Sequence, residues 1–152
     1  MLIRKIGIIK KSNVKNLDIL VNELKSFLTK KNATVNFEID VESLEGDTPV
    51  LQEPLDLIIV LGGDGTFLSA TRVVLKSSYD IPIVGVNLGK IGFLTEISVE
   101  NMFYNLEKIF NNDFAIEERM IINVNFQPSS NSFQNYSVFN DVVINKGALG
   151  KI

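Results

Sequence analysis

Residues 58–72, IIVLGGDGTFLSATR, run four apolar residues straight into Gly62-Gly63-Asp64-Gly65-Thr66. With Leu57 in front, the apolar run is LIIVL, the pattern of a parallel strand covered on both faces rather than one with a wet side. After the glycines, Phe67, Ala70 and Val74 form one row and Leu68, Thr71 and Leu75 the next, as on an amphipathic helix. Strand, glycine turn and helix are the unit of an open parallel sheet, whose ligands bind beyond the carboxyl ends of the strands. The turn therefore falls where a ligand would. Glycine lets another molecule approach the main chain closely, and amides leading into a helix N-terminus favour a phosphate. The acid is the anomaly. Asp64 is a poor direct phosphate ligand, and it suits either taking a proton from a hydroxyl beside the phosphate or helping to hold magnesium. The plain alternative is a strand-to-helix turn in which Asp64 or Thr66 caps the helix. No Gly-Lys-Ser/Thr follows, so this is not a Walker loop, and the dinucleotide fingerprint spacing is absent.

Outward from this unit the pattern repeats. Ile3, Ile6, Ile8 and Ile9 form an opening strand, and Leu17, Leu20, Val21, Leu24, Phe27 and Leu28 recur at helical spacing between residues 14 and 31. Val35, Phe37 and Ile39 alternate as in a strand, and the acids, prolines and glycine of residues 42–56 read as a loop. IPIVGVN (81–87) is a further strand, and a third helix is expected over about 99–114 with Met102, Phe103, Leu106, Ile109 and Phe110 inward. Alternating strands and helices imply right-handed crossovers and an open, Rossmann-like α/β domain over residues 1–114. The period then changes. Ile116, Met120, Ile122, Val124 and Phe126 occupy even positions, QPSSNSFQN is a polar turn region, and YSVFNDVVINKG reads as a second strand. Residues 115–152 are thus expected to be an antiparallel hairpin that opens a second, β-rich domain whose remainder is missing.

Composition excludes several function classes. A net charge of −3, with no basic block longer than Lys30-Lys31, argues against general nucleic-acid binding. The longest apolar runs are about half of what a bilayer span needs, and MLIRKIGIIK lacks the pattern of a signal peptide, so no membrane partner and a cytoplasmic address are expected. Cysteine and histidine are both absent. There is no disulfide framework or thiolate metal site, and any proton transfer must rest on Asp, Glu, Lys or Tyr. No protein metal ligand set is expected.

Three motifs then converge. LGGDGTFL (61–68), VGVNLGKIGFLTEI (84–97) and FNDVVINKG (139–147), in this order and spacing, resemble the NAD kinase family, which phosphorylates NAD to NADP. The first motif is shared with lipid kinases and, in variant form, with phosphofructokinases; the second and third are more specific. The resemblance covers nearly the whole chain but only about the first half of a family member. It implies Asp64 as the base for the adenosine ribose 2′-hydroxyl, with Gly65 letting the dinucleotide lie against the backbone. It also implies that the amides of Gly62, Gly63, Gly65 and Thr66 face the transferred phosphate. Asn140 and Asp141 match the family's Asn-Glu/Asp pair, which contacts the adenosine half of NAD, although adjacent polar residues on a strand point to opposite faces and one of them could be solvated. Phe93 would border the same pocket, a phenylalanine's ordinary place being the core, and Lys90 could offset phosphate charge or be a surface lysine. Where many relatives carry a basic residue five positions after the acid, this chain has Ser69, with Arg72 as a substitute candidate.

The resemblance also implies NAD and ATP or polyphosphate as partners, with Mg²⁺ or another divalent cation accompanying ATP. The competing readings are a lipid kinase sharing the glycine-acid turn and a non-catalytic nucleotide-binding fragment. Nothing in residues 84–97 offers an acyl chain apolar access. Exposed strand edges in 115–152 lead to the expectation of a homo-oligomer, and of negligible NAD turnover by these residues alone.

Overall fold

A computed structural model describes residues 2–44, 48–77, 79–90, 92–127, 133–139 and 141–143. The chain divides into two compact units, Met1–Ile116 and Glu117–Ile152.

The first unit is built on five parallel strands: β1 (Lys5–Lys10), β2 (Thr34–Asp40), β3 (Leu57–Leu61), β4 (Ile83–Asn87) and β5 (Ile97–Ser98). Their order across the sheet is β2-β1-β3-β4-β5, a doubly wound arrangement that reverses direction between β1 and β3. Three helices cover it: α1 (Leu17–Lys30), α2 (Asp64–Lys76) and α3 (Met102–Phe110). The open parallel α/β sheet expected from the alternation is what the chain forms.

The LIIVL strand explains the layering. Leu57, Ile59 and Leu61 point to one face, where they meet Leu17, Val21, Leu24 and Leu28 of α1 and Met102 and Leu106 of α3. Ile58 and Val60 point to the other, against Ala70 and Val73 of α2 and the loop residues Leu51 and Leu55. All five strand residues are buried. Each fully buried side chain of this size stabilises the fold by roughly 1.5–3 kcal/mol, which is why a run of uninterrupted aliphatics can occupy only a central strand.

The elements after β4 differ most from the sequence reading. The third helix is shorter than expected: Val99–Asn101 forms a 3₁₀ turn, and the helix ends at Phe110, two residues before Asn112 adopts a left-handed φ of 58°. The segment after β4 contains a strand that periodicity did not reveal, because β5 has only two residues. No helix occurs among the described residues between β4 and β5, so a loop makes this crossover, and that loop reaches the glycine turn.

The second unit contains an antiparallel pair, β6 (Ile121–Phe126) and β7 (Gln134–Phe139), with Ile122 opposite Val138 and Val124 opposite Tyr136. The expected hairpin is present, but its second strand ends at Phe139. The Asp141 N–H donates to the Phe139 carbonyl at 3.0 Å, and residues 141–143 belong to no strand. Asp141 therefore does not lie on a strand, as the sequence reading had it. Asn140 and residues 144–152 fall outside the described residues.

Candidate active site

The glycine turn follows directly from β3, at the strand ends where the sheet order reverses. The Gly62 N–H donates to the Val86 carbonyl of the neighbouring strand at 2.9 Å. This amide extends the sheet and does not face a ligand, contrary to what was expected of all the turn's amides. A Cβ on Gly62 would collide with Thr66 Oγ1, so glycine is required for Thr66 to fold back over the turn, where it is buried. Gly63 is the N-cap, and no side chain caps α2. The simple capping roles considered for Asp64 and Thr66 are therefore not seen. Phe67 is the first residue to reach back, its N–H donating to the Gly63 carbonyl at 3.1 Å. The amides of Asp64, Gly65 and Thr66 precede it and have no acceptor within the helix, and Gly65 is exposed.

The Asp64 carboxylate points away from its own helix, to the loop between β4 and β5. Oδ2 accepts from the Phe93 N–H at 2.9 Å. Oδ1 accepts from the Leu94 N–H at 3.0 Å, the Thr95 N–H at 3.2 Å and the Thr95 hydroxyl at 3.1 Å. Gly92 allows this approach, since a Cβ there would overlap the Asp64 carboxylate. The N–H of Phe93, then that of Leu94, hold the Asp64 carboxyl below the usual aspartate range, with Thr95 adding to the effect and partial burial opposing it. The acid is a fixed anion, tied to residues about thirty positions away.

Behind it lies a polar chain that sequence reasoning missed. Asn87 ends β4 and is 5% exposed; Thr95 is fully buried. Asn87 Nδ2 donates to Thr95 Oγ1 at 2.8 Å, and Asn87 Oδ1 accepts from the Gly89 N–H at 2.8 Å. The only available signal was polar residues in the otherwise apolar VGVN and GFLTEI, which says nothing of their partners.

The other predicted residues are placed as follows. Phe93 is 75% exposed, not core. Lys90 and Arg72 are exposed, and Ser69 Oγ donates back to the Gly65 carbonyl at 3.1 Å. Asp141 is exposed and belongs to the second unit, and Asn140 is outside the described residues. A further unforeseen residue is Ser12, two positions after β1. Among the described residues its hydroxyl is the one side-chain polar atom shielded from solvent without a hydrogen-bond partner, a state that commonly calls for an explanation. No cluster of three or more His, Cys, Asp or Glu side chains that could hold a metal occurs among the described residues, and no described helix is long and apolar enough to cross a membrane.

An acid at the head of a helix, tied to an amide-rich loop beside open helix N-terminal donors, is suited to holding a hydroxyl next to a phosphate. Comparisons with known proteins point the same way. Residues 6–114 match the family model of the ATP-NAD kinase N-terminal domain. The chain is 42% identical over 137 residues to an NAD kinase of Syntrophobacter fumaroxidans, covering 88% of this chain and 48% of that protein. It is 47% identical over 106 residues to an NAD kinase of Geobacter sulfurreducens, covering 70% of this chain and 36% of that one. The fold is similar to a crystal structure of yeast NADH kinase complexed with NADH, with a TM-score of 0.64 at 17% identity, over 91% of this chain and 47% of the other. The chain thus spans half or less of the length of these relatives. On the match over residues 6–114, it belongs to the ATP-NAD kinase N-terminal domain family.

Proposed function

We propose that this chain carries the phosphoryl-transfer half of an NAD kinase, which phosphorylates the adenosine ribose 2′-hydroxyl of NAD with ATP or polyphosphate. The observation that carries this reading is the Asp64 carboxylate, anchored by the 93–95 loop at the head of α2. In the reaction the hydroxyl oxygen attacks the terminal phosphorus as the bond from that phosphorus to the bridging oxygen breaks and ADP, or a shortened polyphosphate, leaves. The hydroxyl proton passes to Asp64. A carboxylate with a lowered pKa is a weak base for an alcohol, so it serves by position, taking the proton late as the new bond forms. Phosphoryl transfer depends mainly on positioning and charge neutralisation, which suits a chain without histidine.

The amides from Gly63 to Thr66 favour the phosphate, and Gly65, exposed and without a side chain, allows the dinucleotide to approach. Magnesium is read as part of the nucleotide substrate, held mainly by the phosphates and by water. In the same reading residues 1–114 form the nucleotide-binding domain. Residues 115–152 open an NAD-binding β domain in which Asn140 and Asp141 hold the adenosine half, and Phe93 borders the dinucleotide. The setting is the cytoplasm.

The test is Asp64→Asn in the full-length protein its gene encodes, followed by NADP formation. The substitution keeps the size of the side chain and removes the base, so kcat is expected to fall at least about a hundredfold. Turnover like that of the wild type would remove Asp64 from the mechanism.

A further inference from the structure

The two oxygens of the Asp64 carboxylate are not equivalent. Oδ1 is held by three donors, the N–H groups of Leu94 and Thr95 and the Thr95 hydroxyl. Among the described residues, Oδ2 accepts from the Phe93 N–H alone. The asymmetry is enforced from behind. An amide NH₂ can only donate, so the Thr95 hydroxyl must accept from Asn87 Nδ2 and direct its single proton elsewhere. That proton goes to Asp64 Oδ1. The orientation of the Asn87 amide is fixed in turn, since the Gly89 N–H can only donate and therefore needs Asn87 Oδ1. The hydroxyl is also fixed by packing: the Thr95 methyl lies so close to Gly85 that a Cβ there would stand 2.7 Å from it. Every hydrogen bond in this chain, from Gly89 through Asn87 and Thr95 to Asp64, runs in one direction.

We propose that Asn87 and Thr95 are positioning residues that fill Oδ1 of Asp64 and leave Oδ2 as the oxygen that takes the substrate proton. This rests on the reading of Asp64 as the proton acceptor. A proton on Oδ1 would face three donors and find no acceptor, whereas one on Oδ2 opposes a single N–H and is accommodated by a small rotation. The pair therefore chooses the atom of the base without touching substrate.

The experiment follows the Asp64 carboxyl carbon by NMR across acid pH in the 152-residue chain. Thr95→Val replaces the hydroxyl by a methyl of the same shape, and Thr95→Ser keeps the hydroxyl. The expected result is an upward shift of the Asp64 midpoint in Thr95→Val and a midpoint near wild type in Thr95→Ser. Asn87→Ala, which frees the Thr95 hydroxyl to turn away, is expected to shift it upward by less, and it decides the matter if Thr95→Val does not fold. An unmoved midpoint in a folded Thr95→Val, or equal shifts in Thr95→Val and Thr95→Ser, would overturn the proposal. In the full-length protein, Thr95→Val is expected to lower kcat about tenfold, the scale of a lost hydrogen bond to a charged group. KM for NAD should stay unchanged, and Thr95→Ser should restore the rate; a change confined to KM would also overturn the positioning role. If the wild type forms no NADP, the kinase reading fails, while the NMR result still decides whether Thr95 holds Asp64.

Discussion

The two units of this chain use the same alphabet to different ends. In β3 five consecutive aliphatic residues are all buried, because helices cover both faces of the sheet. In β6 and β7 apolar residues recur on paired positions, Ile122 opposite Val138 and Val124 opposite Tyr136, yet no described residue of that unit is buried, and Phe126, Phe133 and Tyr136 are each more than half exposed. Apolar periodicity specifies a strand's shape and the side it offers; it does not supply the surface that covers it. Two strands alone are marginal in water, so the stability of this chain resides in the first unit.

The strongest way to break this contrast is a cavity in the covered strand. Ile59→Ala removes a fully buried side chain facing α1 and α3, with an expected loss of about 2–5 kcal/mol in chemical denaturation of the whole chain. A smaller loss, about 1–3 kcal/mol, is expected for Gly92→Ala, whose added methyl would force the 93–95 loop and the Asp64 carboxylate apart. This substitution should also raise the Asp64 midpoint, since the donors that depress it would move away. An unchanged melt and an unchanged titration would show that the loop yields without cost. The smallest effect is expected in the second unit. Phe126→Ala removes a large aromatic that is 53% exposed, and its effect on the main transition should stay within about 0.5 kcal/mol, as for surface positions. A larger loss would show that the hairpin is covered in solution.

What could be read in the sequence was local. LIIVL, the glycine turn and the helix behind it were visible because continuous burial, turn chemistry and helical spacing are each properties of a short window. Asp64 stood out for the same reason, as a charge among residues without side chains. Its partners could not be found that way. The contacts to Phe93, Leu94 and Thr95 span 29 to 31 residues, and they depend on β3 and β4 lying side by side, which brings the Gly62 turn against the loop leaving Asn87. The use of the Gly62 amide by Val86 was hidden for the same reason. Helix ends were misplaced where termination was a matter of geometry: Asn112 stops α3 through a left-handed backbone that asparagine tolerates but does not announce. β5 was invisible because two residues carry no period. Asp141 was placed on a strand because VFNDVVIN has the composition of one, while its N–H is spent on the Phe139 carbonyl two residues back instead of on a neighbouring strand.

The tie between Asp64 and the loop also makes solvent exchange at three amides a measure of where the carboxylate is. The N–H groups of Phe93, Leu94 and Thr95 donate to one side chain rather than to a sheet or helix carbonyl. Their exchange with deuterium is expected to be slowed while that carboxylate stays in place, and less so once it is protonated and its bonds weaken. Because the carboxyl is held below the ordinary aspartate range, the slowing is expected to persist into mildly acid solution and to fade as acidification carries the group through its lowered, folded-state midpoint. A molecule that engages Asp64 through Oδ2 competes with the Phe93 N–H and leaves the donors on Oδ1 in place, so it would announce itself as faster exchange at Phe93 with Leu94 and Thr95 unchanged, before any product is formed.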